Sequence, residues 1–409
     1  MDYTTGSATR TDTSASGIQR FAGRKLRSAL SGLTDCRLRV TLPGGYRFEC
    51  GPQDAELAAE WNIKRWNALM RIASSGALGF SEGFINDEWD TPDLTGLLTA
   101  LAGNMDRLDT AHRHGGPSRI LGRIQHWLNA NTRRGSRRNI AFHYDLGNAF
   151  YETWLDRSMT YSSALFEEGA DDLATAQARK YRRLCQQLRL KPGDRVLEIG
   201  CGWGGFAEIA ASEFGCHVTG LTLSKEQHGY AVDRLSRAGL SGQTDIRLQD
   251  YRDVTERFDA IASIEMFEAV GEAHWPVYFD QVHACLKPGG RAALQIITIR
   301  DDLFDSYRGS VDFIQKYVFP GGMLPTVDRL AKEAGRSGLT CVGQHMFGAD
   351  YARTLAAWHQ SYTAAWPRIE PLGFDRRFDR IWRYYLAYCE AGFVSGRIDV
   401  GQFEYQRPA

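Results

Sequence analysis

The chain has 409 residues, with 49 Lys and Arg balanced by 49 Asp and Glu for a formal net charge of +0. That balance excludes a bulk polyanion binder of the nucleic-acid type, and the length allows two or three domains with a sizeable core. No run approaches the roughly 20 apolar residues of a membrane span, and the eight cysteines include no Cys-x-x-Cys pair, which favours free thiols over a zinc or redox motif.

Met1 to Gly17 is rich in Ser and Thr and has no apolar run, so residues 1–20 are expected to form a disordered tail and not a signal peptide. Residues 21–110 read as a small N-terminal α+β domain. Leu38–Val40 and Tyr46–Cys50 alternate around Pro43-Gly44-Gly45 as a hairpin. Trp61 to Ile72 reads as a helix punctuated by Gly76 and Gly79, and Trp89-Asp90-Thr91-Pro92-Asp93-Leu94 reads as a second helix start, with Thr91 its cap and Pro92 in the first turn. Residues 111–140 hold Arg113, Arg119, Arg123, Arg133, Arg134, Arg137 and Arg138 with no acidic residue, and Ile120, Leu121, Ile124, Trp127 and Leu128 fall near helical spacing. Such a basic amphipathic linker fits either an anionic lipid surface or a helix packed on a neighbouring domain.

Residues 141–409 then alternate helix and strand. A helix from Asp172 to Leu190 precedes strands at Arg195–Ile199, His217–Leu221, Asp245–Gln249, Phe258–Ser263 and Arg291–Ile297, with Leu286–Gly290 as a stop before the last of these. A helix at Val327–Ala334, a strand near Thr340–Met346, an aromatic helical region to Phe393 and a strand near Val400–Tyr405 follow. The expected fold class is α/β: a Rossmann-like sheet with helices on both faces.

The first of those strands runs into Gly200-Cys-Gly202-Trp-Gly204, a turn where backbone amides can approach a nucleotide-like ligand. The second strand ends in Thr222-Leu223-Ser224 without the carboxylate that a dinucleotide site places about 20 residues on. S-adenosylmethionine therefore fits better than a nicotinamide cofactor, and Trp203 and Tyr161 are candidate faces for its sulfonium. Glu265 and Glu268 lie three positions apart, but without His or Asp neighbours they make a poor metal site, so no metal is expected.

Phe142–Asn148, Met159–Ser162, Val196–Gly205, Gly220–Ser224 with Gln227, Gln249–Arg252, Met266–Gly271, Tyr317–Gly322 and Phe347–Tyr351 together resemble the cyclopropane fatty acid synthases and their mycolic acid relatives. Gly76–Trp89 resembles the extra N-terminal domain of the bacterial synthases. The resemblance implies a class I methyltransferase fold. It also implies contacts to S-adenosylmethionine from Tyr161, Ser162, Gly200, Gly202, Gly204, Thr222, Leu223, Gln227, Asp250 and Tyr251. His143 and Asp145 would lie in a segment folding over the cofactor.

The implied reaction is attack of a cis alkene of an unsaturated phospholipid acyl chain on the sulfonium methyl, followed by proton loss as a ring closes. The base implied by the family is a bound bicarbonate, cradled here by Glu268, Tyr351, the backbone at Ile297, and Ser163 and Gln295 where the family has Cys and His. Ser and Gln still donate hydrogen bonds, but Gln carries no charge at any relevant pH. An altered pocket would give methylene- or methyl-branched chains, completed by a partner oxidoreductase. Trp358, Trp366, Trp382, Tyr384, Tyr385 and Tyr388 are candidates for either an acyl channel or plain core. A homodimer acting peripherally on the inner face of the membrane, in the cytoplasm, is expected. A small-molecule methyltransferase on the same fold is the rival reading.

Overall fold

The computed structural model describes residues 16–55, 57–105, 107, 146–167 and 172–409. The basic stretch at 111–140, His143 and Asp145 lie outside the described residues. The chain divides into two compact units, Met1–His114 and Gly115–Ala409.

In the first unit, helix α1 (Gly17–Ala29) begins inside the expected tail because Ser16 and Gln19 form a reciprocal capping box. Strands β1 (Cys36–Thr41) and β2 (Arg47–Cys50) pair antiparallel as the hairpin. The helix expected from Trp61 is corrected. β3 (Leu57–Ile63) pairs parallel to β1, and its inward residues Ala59, Trp61 and Ile63 are buried. Helix α2 starts only at Asn67 and runs to Ile85, kinked at Gly76, whose φ is 56°. The second expected helix starts at the end of its expected segment, and the opening residues are corrected: Trp89–Asp90 is a short strand, β4, paired to β3. Helix α3 (Leu94–Gly103) is capped by the carboxylate of Asp93, which accepts from the Gly96 N–H at 2.8 Å, and not by Thr91.

The second unit is built on a seven-stranded sheet in the order β10-β11-β9-β8-β5-β6-β7. The strands are β5 (Arg195–Ile199), β6 (His217–Thr222), β7 (Thr244–Leu248), β8 (Phe258–Ile264), β9 (Leu286–Ile299), β10 (Thr340–Met346) and β11 (Ile398–Gln406). β7, β6, β5, β8 and β9 run parallel, whereas β11 and β10 close the far edge antiparallel. The expected stop at Leu286–Gly290 belongs to β9: Leu286 pairs with Phe258 before an irregularity in register. Successive residues feed opposite faces, with Val196, Ala260 and Ala293 in one core cluster and Leu197, Ile261 and Leu294 in the other. Such two-faced burial is why the parallel strands read as continuous apolar runs. Helices cover both faces, among them α4 (Asn148–Glu152), α5 (Leu173–Gln187), α6 (Gly205–Ser212), α7 (Lys225–Arg237) and α8 (Trp275–Cys285). The aromatic region forms helices α12 (Gly348–Ile369) and α13 (Arg376–Val394), with α9 to α11 (Asp301–Arg308, Phe313–Tyr317, Val327–Arg336) between them and β9. The strand order reverses at β5, so a crevice opens at its carboxyl end, the usual ligand position in such sheets.

Candidate active site

The turn after β5 floors a cavity whose walls include Tyr161, Ser162, Gly200, Gly202, Trp203, Thr222, Leu223, Gln227, Asp250 and Tyr251. Gly204 is the exception among the expected contacts. It caps α6 with φ 84°, and a Cβ there would meet the Ala231 Cβ at 3.2 Å, so this glycine serves helix packing and not the cavity. Gly200 has φ 86°, and its Cβ would come within 2.9 Å of the Met266 side chain. Gly202 has φ 50° with nothing within 4 Å of its Cβ position. Forcing a side chain into the left-handed region costs roughly 1–2 kcal/mol. Gly200→Ala should therefore lower the melting temperature of the ligand-free protein. Gly202→Ala should lower it less and instead weaken S-adenosylmethionine binding at least about tenfold, or ~1.4 kcal/mol, in calorimetry. Wild-type affinity in Gly202→Ala would show that the backbone approach lies elsewhere.

The polar wall is more internally bonded than the residue types suggested. The Thr222 hydroxyl donates to Gln227 Oε1 at 2.9 Å and accepts from the Ser224 N–H at 3.1 Å. Asp250 grips Arg252 through Nε at 2.8 Å and Nη2 at 2.6 Å, so its carboxylate positions the loop as well as facing the cavity. The Trp203 indole donates to Asn148 Oδ1 at 2.7 Å and its ring lies 5.0 Å from that of Tyr151. Tyr161 packs 5.3 Å from Trp358 and bonds hydroxyl to hydroxyl with Tyr385 at 2.7 Å. Trp358, Trp382, Tyr384 and Tyr385 are buried, whereas Trp366 and Tyr388 are half-buried.

Glu198 also lines the cavity. It is buried, burial holds its carboxyl well above the usual range, and Oε2 has no hydrogen-bond partner. An unsatisfied buried carboxyl oxygen on a ligand wall is a place for a hydrogen-bonding group of the ligand.

The catalytic candidates come together around a residue that sequence reading had set aside. Glu265 follows the end of β8 with φ 50°, a left-handed turn that an L-residue adopts only under constraint. Its carboxylate accepts from the Ser163 N–H at 2.8 Å and Gln295 Nε2 at 2.8 Å on one oxygen, and from the Tyr351 hydroxyl at 2.6 Å on the other. The Ser163 hydroxyl turns away to donate to the Ala164 carbonyl. The Gln295 side chain is fixed by Gln402, whose Nε2 donates to Gln295 Oε1 at 3.1 Å. Glu268 accepts from the Ile297 N–H at 2.5 Å, and its other oxygen is buried without a partner. Burial, reinforced by the Glu265 charge, pushes Glu268 up to about 8, so it is protonated at neutral pH. Burial also raises Glu265, but Lys180, Tyr351, Ser163 and Gln295 all pull it back toward ionisation.

Lys180, on α5, is fully buried, and its Nζ donates to Ser162 Oγ at 2.6 Å. Burial drives it well below the ordinary lysine range, while the charges of Glu265, Asp156 and Glu198 oppose that shift. Sequence reading missed Lys180 because a lysine on an amphipathic helix reads as a solvated cation. It considered Glu265 only as half of a metal pair.

A family profile described as mycolic acid cyclopropane synthetase matches residues 131–403. The chain belongs to this family. A tuberculostearic acid methyltransferase of Mycobacterium tuberculosis is 39% identical over 361 residues, covering 83% of this chain and 82% of the relative. The cyclopropane-fatty-acyl-phospholipid synthase of Escherichia coli is 36% identical, covering 85% of this chain and 88% of the relative. Among solved structures, a mycolic acid cyclopropane synthase complexed with SAH and CTAB has a TM-score of 0.63 at 30% identity, covering 66% of this chain and 98% of that one. A cyclopropane synthase of Mycobacterium tuberculosis has the same TM-score of 0.63 at 29% identity, covering 66% of this chain and 98% of that one. This member of the family is a class I S-adenosylmethionine-dependent C-methyltransferase.

Proposed function

We propose that the enzyme transfers a methyl(ene) group to the cis double bond of unsaturated acyl chains in membrane phospholipids, working at the inner face of the membrane. One observation carries this: the Glu265 carboxylate joins the donor cavity to the aromatic cluster. It lines the cavity and accepts from Tyr351, whose ring packs on Phe393 at 4.5 Å and Trp358 at 6.1 Å. An alkene has no proton to remove before it reacts, so the site needs positioning, electron-rich walls for a carbocation, and one base on its far side. S-adenosylmethionine, when bound, supplies an electrophilic methyl on a sulfonium. Tyr161 and Trp203 offer ring faces to positive charge, and Gly202 with Gln227 form the floor and side of the donor cavity.

Among the described residues no helix is long and apolar enough to cross a membrane. We assign membrane contact to the arginine-rich stretch at 111–140, whose charge and tryptophan suit an anionic bilayer surface. A homodimer and a partner oxidoreductase remain part of this proposal, the latter only if the product is a methylene-bearing chain. The test is incubation with methyl-labelled S-adenosylmethionine and vesicles of cis-monounsaturated anionic phospholipid, followed by mass spectrometry of the released chains. The expected result is label in a cyclopropane, or in a methylene or methyl branch if the exchanged Ser163 and Gln295 redirect the cation. Label in a polar small molecule, with none in lipid, would overturn the reading.

A further inference from the structure

The groups that the family resemblance assigns to a bound bicarbonate are already engaged by the protein's own carboxylates. The Ser163 N–H, Gln295 Nε2 and Tyr351 hydroxyl all point at Glu265, and the Ile297 N–H points at Glu268. A bicarbonate at that position would have to displace the Glu265 side chain from its three donors. It would also add an anion beside two carboxyl groups in a water-poor site, which desolvation and like-charge repulsion oppose. The residues present therefore do not fit bicarbonate.

We propose that Glu265 is the resident base of this enzyme, occupying with its own carboxylate the place that a borrowed anion takes elsewhere in the family. This rests on the acyl-chain reading above. The alkene π pair forms the new carbon–carbon bond to the transferred methyl as the carbon–sulfur bond breaks and sulfur keeps its pair. The cation left on the chain then loses a proton to a Glu265 oxygen. The freed C–H pair either closes the ring or, after a hydride shift along the chain, forms an exocyclic double bond. The proton leaves Glu265 to solvent before the next turnover, so no oxidant or further reactant is needed.

Three features favour Glu265 over its neighbour. It lines the cavity beside the methyl donor's place. Its two oxygens are oriented by donors from three separate segments, the loop at Ser163, strand β9 and helix α12. Lys180 supplies a cation that favours the ionised form. The strained φ of 50° at Glu265 is the cost of aiming the carboxylate into the cavity.

The experiment uses the full-length protein, the lipid assay above, and S-adenosylmethionine binding by calorimetry as a separate readout. Wild-type turnover is measured in buffer stripped of carbon dioxide and again with added bicarbonate. Glu265→Gln keeps the volume and removes the base. Glu265→Gly suits the positive φ and leaves a carboxylate-sized gap among the three donors. The expected pattern has three parts. Wild-type turnover is the same with and without bicarbonate. Glu265→Gln loses about a hundredfold or more in turnover while still binding the methyl donor. Glu265→Gly is slow but regains at least about tenfold when formate or bicarbonate is added. A wild type that requires bicarbonate, a Glu265→Gln that turns over normally, or a donor-binding Glu265→Gly that neither anion rescues would overturn the assignment. If Glu265→Gln does not fold, the other two arms decide. Absence of label in lipid from the wild type would instead bring down the acyl-chain reading itself.

Discussion

Lys180→Met should shift the acid limb of the kcat/KM profile to higher pH. The methionine fills similar space, so the change is electrostatic and leaves no cavity. In the wild type the Lys180 ammonium is fully buried, donates to Ser162 Oγ at 2.6 Å, and lies 4.5 Å from the centre of the Tyr181 ring. Its field opposes the desolvation that raises Glu265. Without that field the carboxyl of Glu265 holds its proton to higher pH, and the fraction of enzyme with a free base at a given pH falls. Lys180 touches no reacting atom in this scheme, so it is a positioning residue. A structural role alone would reduce stability and leave the pH profile in place; that outcome would remove Lys180 from the mechanism. S-adenosylmethionine affinity, measured alongside, separates loss of the base from loss of the cavity.

Glu268→Gln should stabilise the protein, and the gain should grow as pH rises from about 5 to 8. The wild-type Glu268 carboxyl is pushed from an ordinary 4.5 up to about 8 by burial, then by the Glu265 charge. Within that window the folded state holds a proton that the unfolded chain has released. Stability therefore falls with rising pH, by about 1.4 kcal/mol per unit at most from this group. Below about 4.5 both states are protonated and the contribution is flat. Glutamine mimics the protonated acid, keeps an oxygen for the Ile297 N–H, and does not titrate. Chemical denaturation at pH 5 and pH 8 should give a difference of about a few kcal/mol between the two variants' pH dependences. Equal dependences would mean that Glu268 is ionised in the fold.

The seven-stranded sheet was legible because its parallel strands are apolar on both faces and are punctuated by glycine turns. The cavity was legible because backbone geometry ties glycines to fixed positions. Trp61 misled because a strand feeding directly into a helix blends two periods, and pairing with β1 decided the matter, not propensity. Gly204 misled because spacing alone does not distinguish a glycine facing a ligand from one facing Ala231. The residues around Glu265 were found by resemblance, but what they bind was not. Ser163, Gln295 and Tyr351 lie on segments far apart in sequence, and only the fold brings their donors to one carboxylate. Lys180 gave no signal, since nothing in an amphipathic helix distinguishes a buried cation from a solvated one.

The three-donor cradle also bears on how such an enzyme evolves. The donors belong to the scaffold and recognise any small carboxylate, whether it arrives on a side chain or from solution. Losing the Glu265 side chain would leave an oxyanion-shaped vacancy, and regaining it would fill that vacancy again. A lineage can therefore pass between a built-in and a dissolved base through exchanges at position 265 and at the donors around it, Ser163 and Gln295, while the fold stays the same.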